Sequence, residues 1–374
     1  MRIFNRFVFI LIAISWTACS TTNLTTDAPL VDPLDNWKSI AVPSGYNPSD
    51  FDTLTVATWN VEHFVDDYDN PYIDNNRENE PSGDLAERRK LLAEALVDIN
   101  ADIVVFQEIE SAAYVQSIAD EFFSDMGYQY FTSRESNDWY MNVVVMSRVP
   151  LGILYSYANA NTFILGENEE DGSPSSQNFT NNRMLSVNVH VNPSYSFMLT
   201  GLHLKAGRGD RNEGWRTGQI NLLREHYSIL TSIDPDARIL VTGDLNTMPG
   251  NREFLQLLGS DTDLIFIDPL AGVEAYTHTS DDPQRQLDHI LPSETMMADM
   301  VPGSAEVAMP FDAQTMRFIS DHLPVVAKIL FGQVSSPKIG TVFRPQVVGW
   351  KVLVIGRVRI TAAAHKNTLR ACLI

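Results

Sequence analysis

Residues Ile239 to Gly250 read ILVTGDLNTMPG. An apolar, β-branched run stops at Gly243, and Asp244 and Asn246 follow two residues apart. A short apolar run closed by glycine is the pattern of a buried strand. A carboxylate at its end is costly to bury unless it is paired or faces a cation. The stretch therefore predicts a strand that delivers polar groups to a cleft, and the chain repeats the pattern. TVATWN ends at Asn60, IVVFQE at Glu108 and MLTGLH at His203. RQLDHIL carries Asp288 and His289, and RFISDHLPV carries Asp321 and His322 just before a last strand. Strand ends converge on one rim of a sheet, so these residues are expected to meet.

Between the strands the spacing turns helical. Leu85, Leu92, Ala95, Leu96 and Ile99 share one face, with Asp84 placed as N-cap and Glu87 three residues later. SAAYVQSIADEFF, GWRTGQINLLREHYSIL and NREFLQLL also read as helices, and YMNVVVMS, RMLSVNVHV, SFMLTGLHL and PVVAKIL as strands. Strands mixed with helices over residues 51–331 predict an α/β body of sheets covered by helices. Residues 161–182 read as an exposed loop.

A chain of 374 residues with 44% hydrophobic and 20% charged content is a folded globular protein, long enough for one large domain or two small ones. The net charge of −20 argues against a protein that coats DNA or RNA, because such proteins are basic. It leaves room for an enzyme that meets phosphate through cations and a local basic patch. The acids are concentrated: residues 1–18 and 333–374 contain none.

Residues 1–19 read as an export signal, with Arg2 and Arg6 ahead of FVFILIAI. That core is shorter than the roughly 20 residues a membrane-spanning helix needs. WTACS resembles a bacterial lipoprotein cleavage site with Cys19 as the lipidated residue, although Trp16 departs from that pattern. Ordinary signal-peptidase cleavage near Ala18 is the other reading. The expected location is the cell surface or outer membrane as a lipoprotein, or secreted or periplasmic. Residues 20–50 read as a flexible linker and 332–374 as a basic tail without an assigned role. Cys19 and Cys372 are the only cysteines, so neither a disulfide framework nor a cysteine–histidine zinc cluster can be built.

The residue types choose the chemistry. Glu108, Asp244, Asp288 and Asp321 offer hard oxygens, which suit Mg²⁺, Mn²⁺ or Ca²⁺. Asn60 and Asn246 can orient a water or a phosphate oxygen without adding charge. His203 and His322 can donate to a phosphoryl oxygen or act as general acid. No serine elbow, P-loop or GxGxxG is present. The natural reaction is attack of a metal-assisted water on a phosphodiester.

The stretches TWNVE, FQEIE, GLHLK, GDLNTMPG, RQLDHIL and SDHLPVVAKI, in that order, resemble the endonuclease/exonuclease/phosphatase superfamily. That superfamily includes pancreatic-type deoxyribonuclease, abasic-site endonucleases, bacterial sphingomyelinases and inositol polyphosphate phosphatases. The resemblance implies a two-layer β-sandwich of mostly antiparallel sheets flanked by helices, four layers in all, with the site at one edge. It implies that Glu108 binds the divalent cation beside Asn60 and Asp321. Asp244 would orient or deprotonate the attacking water, Asn246 and His203 would hold the scissile phosphate, and His322 would contact it. Asp288 would pair with a catalytic histidine. Arg183 matches a phosphate-contacting arginine, and Tyr140 and Asn142 fall where the family places substrate-contacting groups. Glu62 and His63 stand equally for a structural role.

Lys205, Arg208 and Arg211 form a basic loop that suits a nucleic-acid backbone, or simply a solvated loop. The leading expectation is an exported, metal-dependent nuclease acting on DNA or RNA as a monomer, with no protein partner implied. Beside it stand a sphingomyelinase-type phospholipid phosphodiesterase, a phosphate-ester phosphatase and a surface-binding lipoprotein without catalysis.

Overall fold

Strand β1 (Thr53–Phe64) and strand β2 (Ile103–Ile109) run side by side in parallel. A parallel pair needs a crossover connection, and here it contains the short helix α1 (Asn76–Asn79) and the longer α2 (Leu85–Ile99). Two further antiparallel pairings extend the sheet beyond β2, first to β4 (Asn142–Ser147) and then to β3 (Tyr130–Ser133). On the other side lie β13 (Val325–Leu330) and the two-residue β12 (Glu306–Val307), giving the order β12-β13-β1-β2-β4-β3. The second sheet contains β5 (Leu151–Ser156), β8 (Met184–Asn192), β9 (Tyr195–His203), β10 (Ile239–Asp244) and β11 (Asp288–Pro292), in the order β11-β10-β9-β8-β5.

This is a computed structural model, and it describes residues 46–47 and 52–331, except 82, 137–138 and 260–263, together with 352–355 and 358–361. The export signal, most of the linker and most of the tail fall outside these residues. The chain forms two units, 1–331 and 332–374. In the second unit, β14 (Val352–Ile355) pairs antiparallel with β15 (Val358–Thr361).

The period-two alternation of β1 decides which face packs where. Leu54 and Val56 point between the sheets and join Val105, Val145, Val187, Leu199, Leu240 and Ile290 in one core. Ala57, Trp59 and Val61 fall on the outer face, packed with α2, α3 (Ala112–Phe122) and α7 (Ala313–Ile319). Across the second sheet, Leu202, Val241 and Leu291 pack with Ile220, Leu223 and Tyr227 of α4 (Asp210–Ile233) and with Phe254 and Leu257 of α5 (Arg252–Leu258). The layers are helix, sheet, sheet, helix, as the resemblance implied. Body packing also reaches back into the expected linker, where the Tyr46 hydroxyl donates to the Val191 carbonyl at 2.7 Å.

Residues 161–182 differ from the exposed loop expected of them. They form a hairpin of β6 (Thr162–Asn168) and β7 (Pro174–Gln177), followed by a 3-10 turn over Phe179–Arg183. The hairpin lies against α4 by backbone contact: a Cβ at Gly214 would fall 2.1 Å from the Leu165 carbonyl oxygen, and one at Gly218 2.1 Å from that of Phe163. Asp84 does precede α2, yet its side chain makes no capping hydrogen bond.

The sheets deliver the polar strand ends in register. Asp244 pairs with His203 on one side and Asp288 on the other. In the first sheet Asn60 pairs with Gln107, and β1 and β2 then bulge through residues 61–64 and 107–109. Gly243 makes the last step of β10 possible. Its φ is +130°, and a Cβ there would lie 2.0 Å from the Leu202 carbonyl oxygen. Gly243→Ala is therefore expected to destabilise the protein by at least about 2 kcal/mol in chemical unfolding. Gly83→Ala, whose Cβ meets nothing within 4 Å, should change stability by less than about 0.5 kcal/mol.

Candidate active site

Asp244 sits at the centre of the convergence, almost wholly buried. Three N–H groups hold its carboxylate. The Asn246 backbone N–H donates to Oδ1 at 2.8 Å, while Asn60 Nδ2 and Asn246 Nδ2 each donate to Oδ2 at 3.0 Å. Asn60 also donates to Glu108 Oε1 at 3.3 Å and accepts at Oδ1 from the Glu62 backbone N–H. The other Glu108 oxygen accepts from the His63 backbone N–H at 3.1 Å.

This packing is held in unusual backbone. Glu62, His63, Glu108 and Asn246 all have φ between +46° and +59°. Non-glycine residues rarely adopt that region, and such strain clusters at functional sites. The Arg88 guanidinium secures one of these turns by donating to the carbonyls of Val61, Glu62 and Ile319.

Four histidines approach the carboxylates, His63 among them with Nε2 3.7 Å from Glu108. His203 Nε2 lies 3.6 Å from Glu108 and 3.7 Å from Asp244. His322 Nδ1 lies 2.7 Å from Asp288 Oδ2, while Nε2 lies 3.9 Å from both Asp244 and Asp321. His278 Nε2 lies 3.4 Å from Asp321, its ring is 4.8 Å from that of His322, and Arg285 contacts its Nδ1 at 2.6 Å.

Burial and charge divide the histidines. Burial pulls His203 down to about 4, so its imidazole is neutral. Burial also works against a charge on His322, but Asp288, Asp244 and Asp321 together outweigh it and push that imidazole up to about 10. Burial raises Asp244 to about 7, against the pull of His322 and of its hydrogen-bond donors. Glu108 and Asp321 lie below the ordinary range although burial would raise both: the His203 and His63 imidazoles, the Asn60 hydrogen bond and the charged His322 favour the Glu108 anion, and the His278 hydrogen bond with the His322 charge does so at Asp321. The cluster thus holds two ready carboxylates, one carboxylate with raised proton affinity, one charged histidine and one neutral histidine.

Asn60, Glu108, His203, Asp244, Asn246, Asp288, Asp321 and His322 are all brought together. Arg183 is buried nearby, its guanidinium 5.6 Å from the Trp139 ring, and Glu108 and Asp244 favour its charge against burial. Tyr140 acts at one remove, its hydroxyl 2.7 Å from His63 Nδ1. Asn142, expected to contact substrate, is turned to the backbone. Its Nδ2 donates to the Glu110 carbonyl and its Oδ1 accepts from the Ser136 N–H, so the amide braces the loop. Lys205 stands on the rim, with Nζ donating to the Ala206 carbonyl and 5.7 Å from the Trp215 ring.

The sequence reading missed two supports and left a third open. His278 lies in the aperiodic stretch AYTHT, where only its histidine could have drawn notice. His63 was noted without a decision. Arg216 and Glu253, buried and 2.9 Å apart, tie the loop after β9 to the loop after β10. Arg216 donates to the carbonyls of Lys205 and Gly207, and the Thr247 hydroxyl donates to Glu253. They looked like ordinary helix residues.

Among the described residues, two groups of side chains bring possible ligand atoms within 4.8 Å of one another: His278 with Asp321 and His322, and Asp244 with Asp288 and His322. The short His322–Asp288 contact accounts for the second without a metal. Glu108 and Asp321 are the more open carboxylates, with side chains 15% and 26% exposed. Glu108 accepts one hydrogen bond at each oxygen, and a carboxylate has about four lone-pair positions, so ligand capacity remains.

Residues 57–322 match the family model described as "Endonuclease/Exonuclease/phosphatase family". The match spans more than half of the chain, and the chain belongs to that family, whose chemistry is phosphoric-ester hydrolysis. No curated protein matches it. Among solved structures, it is similar to the human Nocturnin catalytic domain with bound sulfate at 19% identity and a TM-score of 0.50, covering 77% of this chain and 96% of that one. It is similar to truncated TDP2 from Caenorhabditis elegans at 13% identity and a TM-score of 0.50, covering 75% and 98%. At these identities the likeness shows the fold.

The charged state of His322 is directly measurable. In metal-free protein, its imidazole should stay protonated through pH 8 by NMR titration, and Asp288→Asn should lower its pKa by at least about one unit. Because the folded value lies above the unfolded 6.5, the pair's stabilisation is complete below pH 6.5. It is lost as the pH rises toward 10.

Proposed function

We propose that the protein is a divalent-cation-dependent phosphodiesterase whose substrate is a nucleic acid. The observation that carries this reading is Asp244: a buried carboxylate fixed by three N–H donors, with proton affinity raised to about 7, beside a charged histidine–aspartate pair. That is a base and a cation-like donor in one pocket, the pairing that water attack on a phosphodiester needs.

Glu108 and Asp321 fit a hard cation by donor chemistry and by their partial exposure. Asn60 turns Nδ2 rather than Oδ1 toward Glu108, and so aligns that carboxylate. When bound, Mg²⁺ or Mn²⁺ would act as a Lewis acid on the phosphoryl oxygens. Asp244 takes the proton of the attacking water. Asn246 orients the base through its backbone N–H and presents its amide beside it. His203, neutral, stands 3.6 to 3.7 Å from Glu108 and Asp244, where its Nε2 side faces the reacting group. His322 Nε2–H donates to a phosphoryl oxygen while Asp288 keeps its charge and ring orientation. Arg183 adds positive charge near the phosphate.

The rim favours a nucleic acid over a bilayer. Lys205, on the loop after β9, and Arg211, in the first turn of α4, flank Trp215 of the same helix within 6 Å of its ring, giving a basic and aromatic surface. The β6–β7 hairpin exposes Phe163 and carries Glu167, Glu169, Glu170 and Asp171 around its turn, with Glu167 3.5 Å from Arg211. Among the described residues no helix is long and apolar enough to cross a membrane. The proposed setting is outside the cytoplasm, reached through residues 1–19 and held by a lipid on Cys19, with the protein acting as a monomer.

Plasmid DNA, single-stranded DNA, RNA and sphingomyelin vesicles, each with Mg²⁺, Mn²⁺ or Ca²⁺, test the reading. Nucleic-acid cleavage should vanish with chelator, and Glu108→Gln and Asp244→Asn should each lower kcat/KM at least about 100-fold. Hydrolysis of sphingomyelin alone would transfer the protein to the phospholipid branch.

A further inference from the structure

Beside the site lies a cavity of about 520 Å³ that the chemistry above does not use. Its walls are mostly apolar and include Met248, Phe254, Val273 and Tyr276, while Asp268 and Gln286 supply its polar side. The volume falls within the range of small-ligand pockets, and apolar walls with a few fixed polar groups are their usual construction.

Three parts of this wall run directly into the site. Met248 is two residues from Asn246, Tyr276 two from His278, and Gln286 two from Asp288. Two residues span at most about 7 Å of extended chain. A ligand in the cavity is therefore a near neighbour of Asn246, Asp288 and His278 at the site.

The polar side is fixed and accepts hydrogen bonds. Asp268 is only 9% exposed. Its Oδ1 accepts from the Leu270 N–H at 2.9 Å, and its Oδ2 accepts from Gln286 Nε2 at 3.3 Å. Gln286 Nε2 also lies 3.2 Å from His289 Nδ1. With Nε2 committed to Asp268 and His289, the remaining polar atom of the Gln286 amide is its acceptor, Oε1. An acyl chain would gain nothing from a carboxylate and an amide oxygen. A flat aromatic ring carrying N–H donors would satisfy both while its faces met Tyr276 and Met248.

We propose that this cavity receives a nucleobase next to the scissile phosphate and prefers bases with an exocyclic amine. The proposal rests on the nuclease reading. Adenine, cytosine and guanine carry an exocyclic amine with two N–H donors, whereas thymine and uracil carry carbonyl oxygens in place of amines and donate only through the ring N3–H, so they satisfy one acceptor of the pair and set an oxygen against the other.

The test compares kcat/KM of the full chain on short single-stranded homopolymers of each base, as DNA and as RNA, and on an abasic oligomer of the same length. The variants are Tyr276→Ala, which removes a partly exposed wall, and Val273→Trp, which fills the cavity from a residue 60% exposed. Amino-bearing homopolymers should be cut at least about tenfold faster than thymine or uracil polymers. Both variants should bring that ratio to within about twofold and leave the abasic rate unchanged, since neither residue touches the reacting groups. Equal rates on all bases, or a ratio that survives in both variants, would overturn the pocket while leaving the nuclease reading intact. An absence of turnover on every polymer, the abasic one included, would overturn both.

Discussion

The hydrogen bond from Asn60 Nδ2 to Asp244 Oδ2, 3.0 Å long and buried, joins the two sheets of the sandwich at their polar rim. Asn60 comes from the first sheet and Asp244 from the second. Neither could be buried alone, because an unpaired carboxylate or amide in an apolar interior is costly. Asp244 brings Asn246 with it, Asn60 brings Glu108, and the register of β10 places His203 and Asp288 on either side. The sheet interface thus fixes the site, and the site's polar pairing closes that end of the interface.

Charge is arranged around this joint so that neighbours hold different protonation states. Asp288 and His322 form a tight pair, and the charge kept on His322 in turn opposes the rise of Asp244. His203, deeper and without so close a carboxylate, is left neutral by burial. Groups whose environments push their proton affinities apart are the arrangement that lets one pocket supply both base and donor near neutral pH. The helices and the Arg216–Glu253 pair do not take part in this, but they hold the loops that carry Lys205 and Thr247 in place.

The sandwich was legible because its strands are long apolar runs that end abruptly at Asn60, Glu108, His203 and Asp244. Burial on both faces removes alternation, and the change to polar residues marks the rim. The hairpin over 162–177 was not legible. It is held by bare backbone at Gly214 and Gly218, and its own side chains are mostly exposed, so no hydrophobic period announces it. His278 was missed for a related reason: a loop delivers it, and position in a loop is set by hydrogen bonds such as those between residues 277–278 and 285 rather than by any sequence period. An asparagine at a strand end reads the same whether its amide meets substrate or backbone, so the bonds of Asn142 to Glu110 and Ser136 had no signal in the sequence.

The central claim is that Asn60 and Asp244 act as one unit. A double-mutant cycle of Asn60→Ala and Asp244→Asn, read as kcat/KM on the nucleic acid the protein cuts, measures it most directly. The account predicts that the double variant loses much less than the sum of the two single losses, because the main buried bond of Asn60 is the one to Asp244, with Glu108 its second partner. Fully additive losses would contradict it and would mean that Asn60 contributes to catalysis independently of Asp244.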